Sequence, residues 1–507
     1  GGLVTENWFD LNASRYTASS TLQRMELLKT GYMGTLSLGW DNYLFLELTG
    51  RQERSSTLKD QSFFYPSANL SFLFSNAFRM PAWWNHGKLR LSYGIVGNAP
   101  ETYAANIIYE QGSDNGFTWN YVPPSWGNAN IRPEKKYEYE IGFESKFLNN
   151  RLGFDVSYYN NRVKDQILST PQPSTSGVKY VLMNVGEVAN EGWDISVSAT
   201  PVLTKNFRWD LTANYGIYRN KVVKLADGVP YLEISNIGGG GAKIQAVEGR
   251  PMGDIYVQVP QMNENGEYLV SDKGLYMNQT ELQRVGNINP DGVGGLFSSF
   301  SYKNIFLDFS IDFRIGGDVI NEMYQYSTAS GLTPESLQFR DTEHGGLSYY
   351  YPGNNNASGV PVQVDPSLGA GPNGETVYHD GVILPGVVAS TGEKNTRIIP
   401  AGYYYNQTYN WGTQPEQLTY RHSVFDNSYV KLRELTIGYQ FPEKLISKLG
   451  MTRLSVSVFG RNLFYFYKAL KNYDAESSVG TSWASQAVVG GSTTATRNFG
   501  VSLRASF

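Results

Sequence analysis

Asn498-Phe-Gly-Val-Ser-Leu-Arg-Ala-Ser-Phe507, the last ten residues of the chain, alternate between apolar side chains and small or polar ones. A repeat of two residues predicts a β-strand with one apolar face. A soluble sheet could show the same alternation, but a chain that ends on an apolar strand with an aromatic last residue is typical of outer-membrane barrels. In such a barrel the apolar face meets lipid and the polar face lines a watery lumen.

The composition favours a membrane barrel over other classes of protein. Charged residues make up 17% of the chain and glycine accounts for 53 of its 507 residues, against ordinary values of ~25% and ~7%. The 36 Tyr, 25 Phe and 10 Trp suit the aromatic girdles of barrels, with a Tyr-rich β-sandwich as the alternative. The lack of cysteine excludes disulfides and thiolate metal sites, and a net charge of −4 offers no basic footprint for nucleic acid.

The sequence shows neither a signal peptide nor a transmembrane helix. Gly1-Gly-Leu-Val-Thr-Glu6 lacks a basic start and an apolar core, and no apolar run approaches the ~20 residues that a spanning helix needs. A chain of this length would make several soluble domains or one large barrel with long loops. Because a barrel protein must cross the inner membrane behind a signal, we expect Gly1 to follow a cleaved or internal boundary.

The clearest internal strand is Ile305-Phe-Leu-Asp-Phe-Ser-Ile-Asp-Phe-Arg-Ile315. Its odd-numbered residues are all apolar, whereas Asp308, Asp312 and Arg314 share the opposite face. A helix would scatter both sets around its circumference. On a soluble sandwich these charges would face bulk water; in a barrel they would line the lumen, where acid and base neutralise each other. We predict that the three residues are lumen-lining.

Similar alternation recurs along the chain and predicts a ladder of antiparallel strands. Residues 147–151 and 302–305 supply short turns, whereas roughly 96–136, 219–294 and 316–426 are long connections with little alternation. Short turns at one end and long loops at the other are what outer-membrane barrels show. The further strands are predicted at residues 34–40, 44–48, 70–74, 89–95, 139–143, 152–158, 193–199, 209–217, 296–302, 435–441 and 454–458.

The ladder contains one irregularity and falls short of a closed barrel. Between Leu432 and Leu435 the apolar phase flips, which predicts a β-bulge or the end of the membrane-spanning part. The strands number about fourteen, fewer than the ~22 of plugged outer-membrane transporters. An open sheet edge is not tolerated in a bilayer, because its backbone groups would lack partners. We therefore expect residues 1–507 to form part of an all-β, antiparallel transmembrane barrel whose first strands precede this chain.

Catalytic and metal-binding patterns find little support. The four histidines are scattered, and no G-x-S-x-G elbow is present. Gly238–Gly241 lacks the Lys-Ser/Thr of a phosphate loop, so a flexible loop is the simpler interpretation. Asn263–Glu267 only faintly resembles a calcium loop, and a plain turn is the simpler interpretation. We expect no enzymatic site, no metal and no cofactor.

Aromatic side chains in the long connections are the candidates for binding, since aromatic faces suit sugar rings, peptide side chains or a protein partner. The alternative is that these loops pack on themselves or on the membrane rim. The candidates are Trp119, Tyr121, Trp126, Tyr349, Tyr350, Tyr351, Tyr403, Tyr404, Tyr405 and Trp411.

A family pattern is carried by several segments in order along the chain. They are Leu89–Asn98, Pro133–Glu144, Asn149–Tyr159, Asn184–Gly192, Gly249–Gly253, Gly286–Asp291, Asp426–Tyr439, Gly460–Phe464 and Tyr473–Glu476. Taken together, these segments resemble SusC-like TonB-dependent transporters of Bacteroidetes.

The resemblance implies a fold, a location and partners. The chain would be the carboxy-terminal part of an outer-membrane barrel with extracellular loops, and the plug domain and TonB-contact segment would lie outside residues 1–507. The whole protein would import oligosaccharides or peptides, energised by the TonB complex and capped by a SusD-like surface lipoprotein. Phe507 would be the signal that barrel assembly machinery recognises. A scaffold barrel without transport is the alternative function.

Overall fold

One antiparallel sheet, the wall, dominates the computed structural model, which describes residues 24–58, 62–106, 108–114, 117–172, 175, 177–410, 416–417, 419–491 and 494–507, together with 2, 4–5, 7–10, 13 and 15. Within these residues each wall strand pairs with the next along the chain, and the short strand Ser125–Trp126 adds in parallel to Tyr180–Val181. The wall strands are β1 (Lys29–Trp40), β2 (Leu44–Ser55), β3 (Ser62–Phe72), β4 (Trp84–Asn98), β5 (Glu134–Phe147), β6 (Leu152–Pro171), β7 (Tyr180–Leu203), β8 (Phe207–Lys224), β9 (Gly292–Tyr302), β10 (Ile305–Ile315), β11 (Tyr429–Gln440), β12 (Arg453–Lys468) and β13 (Asn498–Ser506).

The wall confirms the predicted ladder. Each predicted strand overlaps one wall strand, and β10 has the predicted bounds. Several strands extend beyond the residues predicted from the alternation: β6 continues to Pro171 and β7 begins at Tyr180. The strand predicted to end at Phe74 stops at Phe72, because α1 (Phe74–Ala77) begins there.

Cross-strand register places apolar residues on one face of the wall. One row joins Leu91 to Ile141 and Ile141 to Tyr158, and Leu91 and Ile141 are 47% and 49% exposed. The adjacent row on the other face joins Ser92 to Glu140. Extensive exposed apolar surface is stable only against lipid or another apolar partner. The first face is called the outer face below and the second the inner face.

The two ends of the wall differ in the length of their connections. Asn149 and Asn150 have φ of 59° and 62°, the left-handed region that asparagine tolerates, and they close the turn predicted between β5 and β6. The short-turn end has connections 41–43, 73–83, 148–151, 204–206, 303–304 and 441–452, the last holding α4 (Glu443–Ile446); the loop end has 56–61, 99–133, 172–179, 225–291, 316–428 and 469–497.

The long connections 225–291, 316–428 and 469–497 fold into a packed structure, here called the cap. Ile244, Ile255 and Ile320 are fully buried, and Tyr420 and Val488 complete the same core from distant parts of the chain. No helix among the described residues is long and apolar enough to cross a membrane. The cap helices are α2 (Glu322–Ala329), α3 (Ala401–Tyr409) and the 3₁₀ turns Gly238–Gly240, Pro334–Leu337, Pro352–Asn354, Tyr420–Ser423 and Ser485–Ala487, and a further 3₁₀ turn, Ser447–Leu449, lies at the short-turn end.

Short strands hold the cap together. Their pairing crosses long stretches of sequence: Leu269–Val270 pairs with Val387–Val388, and Ile320–Asn321 with Val488–Val489. The remaining strands outside the wall are Tyr231–Ile237, Ala242–Val247, Asp254–Val257, Gln283–Asn287, Asp318–Asn321, Leu347–Tyr350, Val362–Gln363, Val377–Val382, Ile399–Pro400 and Val424–Asp426, with the separate hairpin Glu110–Asp114 and Phe117–Tyr121 in connection 99–133.

The phase flip in β11 is a β-bulge. Ile311 pairs with Leu432 and Ser310 pairs with Glu434, which leaves Arg433 as the extra residue. A bulge re-aims the side chains on one strand without ending the sheet. Of the two predicted interpretations, the bulge is therefore confirmed.

The edges of the wall are β1 and β13. In the described part of the chain, β1 pairs only with β2 and β13 only with β12, so these residues do not close the sheet into a ring. All residues of β1 are exposed. Each edge therefore presents a row of backbone donors and acceptors without a second strand.

Candidate functional site

The inner face of the wall carries all three residues that were predicted to line a lumen. Asp308, Asp312 and Arg314 share this face because they alternate with the outward apolar residues of β10. Ser299 donates a hydrogen bond to Asp308 at 2.6 Å. Arg314 donates to the carbonyl oxygen of Ile288 at 3.0 Å, which ties the wall to the first cap connection.

A second inner-face network centres on the bulged Arg433. Its guanidinium donates to Asp312 at 2.6 Å, to Asn462 at 2.9 Å, and to both carboxylate oxygens of Glu476 at 2.5 and 3.0 Å. Lys431 also contacts Glu476. Burial disfavours the charge of Glu476, but Arg433 and Lys431 outweigh this and hold its pKa below the usual value. The network fastens β10 and β11 to connection 469–497.

A third network lies on the inner face of β4, β5 and β6. Arg90 binds Asp155 through both terminal nitrogens, at 2.5 and 3.2 Å, and lies 3.4 Å from Glu144. It also donates to Ser157 at 3.1 Å. The alternation placed these residues on the polar face, but the sequence did not reveal that they form one cluster, because their contacts depend on register between strands.

Between these networks the inner face is concave. A recess of about 660 Å³ is lined by Asp155, Asp194, Asn214, Asp312 and Arg314 together with the glycine-rich start of β9. Carboxylates, an amide and a guanidinium around a recess of this size offer donors and acceptors to a polar solute or to another polypeptide. The inner face is thus suited to water-filled or protein-filled space.

Two of the predicted aromatic candidates lie on the exposed hairpin in connection 99–133. Trp119 is 47% and Tyr121 41% exposed. The Tyr121 hydroxyl donates to Glu110 across the hairpin at 2.6 Å, and the Trp119 indole lies against Gly112. Trp126 is half-buried, and its indole N–H has no partner among the described residues.

The candidates at 349–351 belong to the interior of the cap. Tyr349 is 1% exposed, its hydroxyl donates to Asp380 at 3.1 Å, and its ring stacks on Tyr378 at 5.5 Å. Burial raises the pKa of Tyr349. Tyr351 meets the same ring pair edge-on, and Tyr350 is half-buried. Tyr349 therefore packs the cap and offers no exposed face.

The candidates at 403–405 lie on α3. Tyr405 is 5% exposed and donates to the Glu335 carbonyl oxygen at 2.8 Å; burial raises its pKa to about 12. Tyr404 is half-buried with its ring 4.9 Å from that of Tyr405, whereas Tyr403 is 36% exposed. For Tyr405, as for Tyr349, loop packing replaces the predicted binding role. Trp411 lies outside the described residues.

The structure also reveals a buried acid in the cap that the sequence did not single out. Asp254 is fully buried and accepts hydrogen bonds from Arg250 at 2.6 Å, Arg284 at 2.8 Å and Asn287 at 2.9 Å. Burial disfavours its charge, but these three donors outweigh it and hold the pKa of Asp254 below its usual value. Asp254 joins the strands of the cap sheet and has no open side for a ligand.

At the other end of the molecule, Phe507 follows the last residue of β13 and is 81% exposed. Because connection 469–497 lies at the loop end, β13 delivers Phe507 to the short-turn end. Its apolar neighbours on the outer face, Val501 and Leu503, are 71% and 69% exposed. The terminal strand thus has the predicted apolar face.

Comparison with known proteins identifies the wall. Residues 5–255 match the family described as "TonB dependent receptor-like, beta-barrel". Residues 5–255 therefore resemble the barrel of this family. Among curated relatives, the TonB-dependent receptor P3 of Formosa agariphila is 22% identical over 494 residues, covering 88% of this chain and 42% of the relative. The TonB-dependent receptor SusC of Bacteroides thetaiotaomicron is 27% identical over 256 residues, covering 44% of this chain and 24% of SusC.

Solved structures show the same fold. The RagAB peptide transporter matches with a TM-score of 0.70 at 19% identity, covering 99% of this chain and 50% of that one. The RagAB peptide importer in its "closed-closed" state gives a TM-score of 0.69 at 18% identity with the same coverage. The chain thus spans half or less of the length of these proteins. It is a SusC-like β-barrel protein of the outer membrane, and the cap lies at the extracellular loop end.

Proposed function

We propose that the chain forms part of the wall and the extracellular cap of an active nutrient importer. The observation that carries the proposal is the inner face, where the charged Arg90 and Arg433 networks flank a recess lined in part by carboxylates and an arginine, behind an apolar outer face. A polar surface of this kind requires water or polypeptide against it. In an importer both are supplied, by the passing solute and by a plug.

The open edges of the wall extend the proposal to the whole protein. In lipid, unpaired backbone groups cost several kcal/mol each, so further strands of the same protein would pair with β1 and β13 and close the ring. The recess beside Asp155 and Asp312 would then face the plug domain, and TonB would act on the plug to open a path. Residues 1–507 thus act as one part of a larger domain.

The proposed substrates are oligosaccharides or peptides, and the proposed partner is a SusD-like surface lipoprotein. One solved relative is described as a peptide transporter. The exposed aromatic residues Trp119, Tyr121 and Tyr403 offer ring faces that suit either substrate or the lipoprotein. The packed core of the cap holds the loops at this end in a fixed arrangement. A partner that acts as a lid could bind to such a surface.

Uptake by living cells tests the proposal. Cells that lack the gene should lose uptake of one class of labelled substrate, peptide or oligosaccharide, and the intact gene should restore it. A proton-motive-force uncoupler should abolish the restored uptake, since TonB action requires energy. Unchanged uptake of both classes together with a weakened outer membrane would contradict import and favour the scaffold function.

A further inference from the structure

A basic and aromatic surface lies on the outer face of the wall near the loop end, where β4, β5 and β6 meet. Along these strands the outer face changes from aliphatic to aromatic to cationic. In order from the short-turn end, the cross-strand rows are Leu89–Phe143–Val156, Leu91–Ile141–Tyr158, Tyr93–Tyr139–Asn160, Ile95–Tyr137–Arg162 and Gly97–Lys135–Lys164.

This surface, called the rim site below, is concave. A cavity of about 210 Å³ opens on it. The cavity opens on the outer face, whereas the recess used in the proposed function opens on the inner face. The two are therefore separate sites. Its lining residues are Tyr93, Tyr137, Tyr139, Asn160, Arg162 and Lys164.

The rim site holds positive charge that the described residues do not neutralise. Lys135 and Lys164 are direct cross-strand partners, an arrangement in which like charges destabilise a sheet. Within the part of the chain that the structure describes, neither ammonium group has a carboxylate within 4.0 Å. By contrast, Lys136 on the inner face is paired with Glu138. An external anion would remove this repulsion.

Two carboxylates on β7, the strand next to β6, already have partners in the protein. Glu187, on β7, binds Arg162 at 3.1 Å. Glu191, also on β7, accepts a hydrogen bond from Tyr158 at 3.2 Å. Both carboxylates lie on β7, which is separated from Lys135 by β6. Lys135 and Lys164 therefore carry the positive charge that has no partner among the described residues. The Lys164 ammonium lies 5.9 Å from the centre of the Tyr137 ring, which holds it over the cavity.

We propose that the rim site binds the phosphate-bearing headgroup of an outer-leaflet glycolipid. The aliphatic rows place the acyl chains below the cavity, and the tyrosines mark the membrane interface, where amphipathic rings lie at headgroup level. Lysine ammonium groups are strong point-charge partners for phosphate, and tyrosine faces suit a sugar ring. Charge complementarity and position along the strands thus select one occupant.

Binding to lipid in nanodiscs tests the proposal on the whole protein purified from its native membrane. The discs contain neutral phospholipid with lipid A, either phosphorylated or enzymatically dephosphorylated, and retained lipid is measured by native mass spectrometry. We expect phosphorylated lipid A to bind wild type at least ~10-fold more tightly than the double variant K135Q/K164Q, since each cation near an anionic lipid surface contributes substantially. Dephosphorylated lipid should bind both proteins equally weakly.

The control is K303Q, because Lys303 also lies over a tyrosine ring, that of Tyr302 at 5.5 Å, but at the short-turn end. It should bind phosphorylated lipid like wild type. All proteins are compared at equal heat-modifiable, folded fractions. Equal binding of phosphorylated lipid by wild type and K135Q/K164Q would overturn the proposal. Displacement of the lipid by millimolar inorganic phosphate would also overturn it, since the site would then be a general anion site.

Discussion

At the scale of single residues, the face of the wall on which a residue lies decides which substitutions it tolerates. Ile311 lies on the outer face of β10 and pairs with Leu296, whereas its neighbour Ser310 lies on the inner face opposite Glu434. An arginine at Ile311 should destabilise the folded barrel by roughly 2–4 kcal/mol near mid-membrane. S310R should cost less, because the new guanidinium faces a carboxylate. Urea unfolding in lipid vesicles measures both, and equal losses would contradict the assignment of faces.

The Arg433 network should carry measurable stability. R433Q removes charge-assisted hydrogen bonds to Asp312 and Glu476, and such bonds are each worth about 1.5–3 kcal/mol. The matched control is R461Q, because Arg461 makes a more exposed single pair with Glu434 at 2.9 Å, which is worth about 0–1 kcal/mol. The shift in urea midpoint should therefore be clearly larger for R433Q. Similar shifts for the two variants would show that the Arg433 network stabilises the wall no more than an exposed ion pair does.

Asp254 makes the stability of the cap depend on pH in the acid range. Its folded pKa lies below its ordinary value, so its contribution to stability is complete above the unfolded pKa of about 3.9 and is lost as the pH falls through the folded pKa. We expect protease resistance of the cap to fall below about pH 4, and D254N to be less resistant at pH 7 with less further loss in acid. E264Q, at an exposed acid of the cap, should leave the profile unchanged. An acid profile of D254N that matches wild type would refute this role.

At the scale of elements, the cap depends on close contacts that the sequence does not display. Gly238 has a φ of 58°, and a Cβ there would meet the Tyr420 hydroxyl at 1.7 Å. Gly239 has a φ of 68° but nothing within 4 Å of a Cβ. The segment predicted to be a flexible loop is thus an ordered 3₁₀ turn packed under a core tyrosine.

This pair of glycines separates packing from backbone strain. G239A should cost about 1 kcal/mol for a non-glycine residue in the left-handed region, whereas G238A adds a clash that forces Tyr420 out of the cap core. Thermal unfolding followed by cap proteolysis should show a larger loss for G238A. An equal loss of stability in the two variants would mean that the Tyr420 side chain moves aside at no cost. The cap core would then be loosely packed at this point.

The wall was predictable because its signal is local. Alternation along Ile305–Ile315 defines both the strand and its faces, and the phase flip beside Arg433 marks the bulge. The cap was not predictable, because strands as short as Leu269–Val270 take their meaning from partners more than a hundred residues away. The same limit applies to the tyrosines: Tyr349 and Tyr403 look alike in sequence, but only packing between loops buries the first and exposes the second.

At the scale of the whole molecule, the wall has a lipid-facing side, a polar inner side and two unlike ends. The cap is a folded extracellular structure over the wall, built from connections at the loop end. The connections at the opposite end, most of them short like residues 204–206, face the periplasm. This orientation underlies the proposed import path, the placement of the proposed lid and the position of the rim site.

Labelling of single cysteines on intact cells tests that orientation directly, since the chain has no natural cysteine. Ala357 in the cap and Lys205 in a short turn are both exposed, and each is replaced in turn by cysteine. A membrane-impermeant maleimide should label the A357C protein on intact cells, and the K205C protein only after the outer membrane is opened. Labelling of K205C but not A357C on intact cells, or equal labelling of both, would contradict this orientation.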